Sequence, residues 1–172
     1  MKNTKHISSA YEQYAEVFNI IDVITDNGFI SVTNFSKLLH IIFATNNIKP
    51  HIINKFLMEH GFLIQTTKPT FKCNTSCKYI ANSSSLAHCK KITYHNIIFY
   101  IWDFNFLFGI LGIDFKTDIS QDNVQTLCSN IKQYAHIKVN MQQVYFNLLK
   151  LQTVLRNECI YFNPKKIKEC IY

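Results

Sequence analysis

"NGFISVTNFSKLL", Asn27 to Leu39, holds a turn signal, a strand signal and a helix start in succession. Gly28 ends whatever helix precedes it, and "FIS" is a short β-prone trio. "VTNFSKLLHIIF" then carries apolar residues at helical spacing, with Thr33 placed to act as its N-cap. Upstream, "SSAYEQYAEVFNIIDVI" puts Tyr14, Val17, Phe18 and Ile21 on one helical stripe behind a capping Ser pair. Downstream, "NNIK" is a turn and Pro50 suits the first position of a helix over "HIINKFLMEH". Gly61 is a C-terminal stop. "FLIQ", "TTKP" and "TFKC" read as a strand, a turn and a second strand.

The order is therefore helix, short strand, helix, turn, helix, two-stranded wing. Over roughly residues 10–73, through "NGFISVTNFSKLL" and "KPHIINKFLMEHGFLI", this resembles the winged-helix DNA-binding superfamily. The resemblance implies that His51, Asn54 and Lys55 lie on a recognition helix and that Lys68 and Lys72 lie in the wing. A helix of this kind fits the major groove, where Asn pairs with adenine and Lys reaches guanine or phosphate. The chain departs from the pattern in carrying few cations on that helix. Winged helices that bind only protein also exist.

The second half echoes the first. A shift of 89 positions aligns Ile30, Ser31, Asn34, Leu38, Ile48 and Lys49 with Ile119, Ser120, Asn123, Leu127, Ile137 and Lys138. "ISQDNVQTLCSNIKQY" and "KVNMQQVYFNLLKLQTVL" read as helices, the second with Val144, Leu148, Leu151 and Leu155 on one stripe. "ECIYF" reads as a strand, and Pro164 opens a last helical turn. Two helix–loop–strand–helix units also resemble EF-hand proteins of the calmodulin type. That resemblance implies an adaptor gripping a partner helix. Val23, Thr25 and Asn27 stand where such a loop needs carboxylates, and Asn34 stands where it needs a bidentate Glu, so calcium is not expected.

Between the halves, "FKCNTSCKYIANSSSLAHCKKITYH", Phe71 to His95, gathers three of the six cysteines with two of the seven histidines. Zinc takes four such ligands in a tetrahedron. The best set is Cys73, Cys77, Cys89 and His95, with His88 as the substitute. A polar loop with incidental thiols is the competing reading. The pattern "KCNTSC…AHCKKIT" also resembles the Cys-rich segment of small herpesvirus late-gene transcription regulators, which implies a viral protein acting with an initiation complex.

"IIFYIWDFNFLFGILGI", Ile97 to Ile113, is short for a membrane span, and a mid-span Asp103 costs about 3 kcal/mol on insertion. It reads as a buried core segment, either one helix or two strands joined at "DFN", with Trp102 as an anchor of the fold. The start of the chain has no apolar stretch behind its lysines, which places the protein inside the cell, nuclear or cytoplasmic, with reduced thiols. A net charge of +7 in 172 residues favours an anionic partner, although the lysines are dispersed. No P-loop, GxGxxG, HExxH or helically spaced carboxylate pair occurs, so no enzyme is expected.

The expected molecule is α+β and mainly helical. It has a winged-helix-like unit over 1–72, a Cys/His-rich joint over 73–95 and a second helical unit over 96–172. The expected function is non-enzymatic regulation of transcription, with nucleic acid or a transcription complex as partner and zinc as structural cofactor.

Overall fold

The structure, a computed structural model, describes residues 28–65 and 79–157. Strand β1 (Phe29–Ser31) runs directly into helix α1 (Val32–Phe43), followed by α2 (Pro50–Glu59) and β2 (Leu63–Gln65). Then come β3 (Tyr79–Ala81), a 3-10 turn at Ser83–Ser85, and the hairpin β4 (Cys89–Tyr94) and β5 (Ile97–Asp103). Helices α3 (Phe104–Leu111), α4 (Gln121–Lys132) and α5 (Met141–Asn157) complete the order. The expected α+β, mainly helical class is what the chain adopts. The helix expected over residues 8–24, the strand at 159–162 and the last turn from Pro164 lie outside the described residues.

The switch from β1 to α1 turns on Ser31, not on Thr33. Its backbone is extended, and its Oγ accepts from the Asn34 amide at 3.1 Å. The helix begins at Val32, so Thr33 is already inside the first turn, where its side chain cannot serve as the cap. The same device opens α4: Ser120 Oγ accepts from the Asn123 amide at 3.1 Å, and Asn123 Oδ1 accepts from the Ser120 amide at 3.0 Å. Both helices are 12 residues long. Their aligned positions are buried alike, Ile30 with Ile119 and Leu38 with Leu127. The faint repeat thus corresponds to two helices with the same start, the same length and the same inward face.

Residues 97–113 are neither one helix nor two strands. β5 runs to Asp103 and α3 starts at the next residue. Asp103 is the hinge, because its carboxylate accepts from the Phe106 amide at 3.0 Å and so caps α3. Trp102 lies on the core side of β5 at 1% exposure, the anchor expected of it.

β1 pairs antiparallel with β5, and β5 with β4, giving the sheet order β1-β5-β4. β2 pairs with Tyr79–Ala81, while the proposed partner at 70–73 lies outside the described residues. Residues 114–120, the counterpart of β1 in the repeat, form no strand.

One core runs through the described chain, from Ile30 and Phe35 through Trp102 and Phe108 to Leu148 and Leu155. The stripe Val144, Leu148, Leu151 and Leu155 is buried as expected. α5 is fastened to α1 by Asn147, whose Nδ2 donates to the Ile41 and Ile42 carbonyls at 3.2 and 3.0 Å. Those carbonyls belong to the last turn of α1, where backbone acceptors outnumber the helix's own donors. Gln152, 5% exposed, donates to the carbonyls of Phe115 and Thr117 and holds the loop before α4. Among the described residues, no helix is long and apolar enough to cross a membrane.

Candidate nucleic-acid interface

The turn between α1 and α2 is built to fix the direction of α2. Ala44 takes a left-handed conformation that ends α1. The Ile48 carbonyl then accepts from Ser36 Oγ and lies 2.6 Å from His40 Nε2. Both of those side chains stand on α1, so the entry to α2 is clamped to its predecessor. Pro50 follows at the start of the new helix, as expected, with its fixed φ already suited to it.

α2 buries Ile52, Ile53, Phe56 and Leu57 and turns the opposite side outward. His51 and Lys55 are exposed, and Asn54 is half-buried beside them. The three expected contact residues therefore share one outward face, as spacings of three and four dictate. Lys49, also exposed, precedes the first turn. Lys68 and Lys72, expected in the wing, lie outside the described residues.

The far end of this face is tied to the turn that follows α4. Tyr134 donates to a Glu59 carboxylate oxygen at 2.5 Å, and Lys55 Nζ lies 5.8 Å from the centre of the Tyr134 ring. Burial, with the carboxylate it donates to, pushes the Tyr134 hydroxyl up to about 12. An apolar cavity behind α2, between Phe35, Ile53, Phe56, Leu107, Leu111 and Ile131, holds about 10 Å³, the room of one water. It is a packing gap and not a substrate pocket.

Of the proposed zinc ligands, the described residues include Cys89, His88 and His95. Cys73 and Cys77 lie outside the described residues. Cys89 opens β4, and His95 stands in the turn beyond its far end. At ~3.3 Å per residue, β4 holds them roughly 17 Å or more apart, whereas ligands of one zinc ion lie within ~2.3 Å of it. His88 is at the Cys89 end, but its ring stacks on Phe106 at 4.1 Å. Cys89 is 8% exposed and packed against the core, and burial pushes its thiol up. Among the described residues no group of three or more His, Cys, Asp or Glu side chains is placed to hold a metal ion. Cys89 and Cys128 are free, buried thiols.

The sheet carries a second surface that sequence reasoning missed. Trp102, with its register partners Ile30 and Cys89, faces the core. Side chains alternate along a strand, so Ile97, Phe99 and Ile101 face outward, opposite Tyr94, Ile92 and Lys90. Tyr94, Ile97 and Phe99 remain exposed, at 64, 49 and 38%. Lys90 Nζ lies 4.2 Å above the Phe29 ring at the base of the same face. The continuous apolar run "IIFYIW" does not say which set faces outward, because that depends on pairing with β1, 70 to 74 positions away in sequence.

No family model matches this chain, and neither the curated proteins nor the solved structures yielded a match.

Proposed function

We propose that the protein is a non-enzymatic regulator that works by docking on nucleic acid, with the outward face of α2 toward the duplex. One observation carries this reading. The chain runs β1, α1, clamped turn, α2, and then a hairpin whose second strand returns to pair with β1. That connectivity supports the resemblance to a winged-helix unit, with β4–β5 in the position of the wing and β2–β3 inserted before it, while the helix expected before β1 lies outside the described residues. Most of the expected wing at 62–73 lies outside the described residues, and the β4–β5 hairpin carries Lys90 and Lys91, both exposed.

Lys49, His51 and Lys55 would contact phosphate, and Asn54 would have the reach to read a base edge. The helix is cation-poor, so binding is expected to be weak and steeply salt-dependent. A labelled duplex followed by fluorescence anisotropy at 50 and 200 mM salt tests this. Binding that weakens with salt, and that Lys55→Ala with His51→Ala weakens further, is expected. Affinity indifferent to both substitutions would remove the reading. Zinc enters only in its His88 form, with Cys73, Cys77 and Cys89. About one zinc per reduced chain, lost in Cys73→Ser, is the expected result, and a metal-free folded protein ends that part.

The EF-hand-like adaptor has less support. Its paired loops would set β1 beside the segment before α4, whereas β1 pairs with β5 and residues 114–120 form no strand.

A further inference from the structure

On the reading that α2 faces duplex, from which this follows, we infer that Tyr134 is a positioning residue for that face. Its hydroxyl holds the Glu59 carboxylate off Lys55 and so keeps the Lys55 ammonium free for phosphate. Lys55 and Glu59 stand four positions apart on α2, the spacing at which a lysine and a carboxylate on one helix pair. Both are exposed. They do not pair here: among the described residues the one ion pair joins Arg156 to Asp118. Glu59 is turned instead to Tyr134, whose hydroxyl donates to its Oε2 at 2.5 Å.

Contacts of the Tyr134 ring place the hydroxyl. The ring meets Phe56 edge-on, with 5.7 Å between ring centres, and Lys55 Nζ lies 5.8 Å from its centre. It therefore lies along the flank of α2 formed by Lys55, Phe56 and Glu59. At 3.6 residues per turn, His51 and Asn54 fall on the other side of Lys55. The hydroxyl thus draws the carboxylate away from the surface that His51, Asn54 and Lys55 share. A carboxylate paired with Lys55 would cancel the charge that a phosphate must meet, and one held by Tyr134 leaves that charge in place.

Anisotropy with the labelled duplex, on the full chain, tests this. Tyr134→Phe keeps the ring and removes only the hydroxyl. It is expected to weaken duplex binding about twofold, the size of one lysine–carboxylate pair on a helix. It is also expected to flatten the salt dependence in the direction of Lys55→Ala, which lowers the slope by about one. In the Glu59→Gln background the same change is expected to leave affinity unaltered, because no carboxylate remains to be released. Glu59→Gln alone, with Tyr134 intact, is expected to bind at least as tightly as wild type. Tyr134→Phe that binds like wild type overturns the inference. So does a loss that persists undiminished with Glu59→Gln, the mark of a merely structural hydroxyl, or weaker binding by Glu59→Gln alone. In those cases binding that still depends on Lys55 leaves the duplex reading standing. Wild type that fails to bind duplex, or binds it indifferently to Lys55→Ala with His51→Ala, removes the reading and the inference together.

Discussion

Tyr134 is where the helical units meet most specifically, because its hydroxyl reaches Glu59 at the end of α2. Its folded-state value, about 12, lies above the usual value of 10. The stabilisation that follows is complete below pH 10 and is lost as pH rises toward 12. Denaturation midpoints of wild type and Tyr134→Phe, compared from pH 9 to 12, are expected to converge at the alkaline end. A constant difference would refute the linkage. Sequence could not supply this pair, because Tyr134 and Glu59 are 75 positions apart and no periodicity links them. Ser31 marks a finer limit. Ser31 and Thr33 are both acceptable caps by residue type, and only the end of β1 decides between them.

Element boundaries followed local rules where special residues sat, and less well where they did not. Pro50, Gly61 and the α5 stripe were legible because each acts within one helical turn. The run from Ile97 to Ile113 was not, because continuous apolar residues satisfy strand and helix equally. Asp103 settles it by capping, and Gly112 ends the short helix that follows. Gly112 has φ +102°, and a Cβ there would come within 2.7 Å of Thr126 Cγ2. Gly112→Ala is therefore expected to destabilise by about 1–3 kcal/mol. Thr126→Ser, which deletes that methyl, is expected to recover part of the loss in the double variant. Urea unfolding measures both, and full additivity of the two changes would show that the contact does not matter.

Across the whole molecule, the deciding contacts are the least local. β1 finds its partner at Ile101–Asp103, and α1 is fastened by Asn147 more than a hundred positions away. Composition and periodicity set out the helices and the α+β class, but strand partnership is a tertiary choice among several β-prone segments. The same holds for Cys89 and His95, which are close in sequence yet carried apart by an extended strand. The helix face of His51, Asn54 and Lys55 was legible, since helical spacing alone brings them together. Its orientation depends on the Ser36–His40 clamp and on Tyr134. The most direct test of the nucleic-acid reading is amide chemical-shift mapping of the 15N-labelled protein titrated with a short duplex. The account predicts salt-sensitive shifts concentrated on Lys49 to Lys55. Shifts absent from α2, or no shifts at low salt, would contradict it.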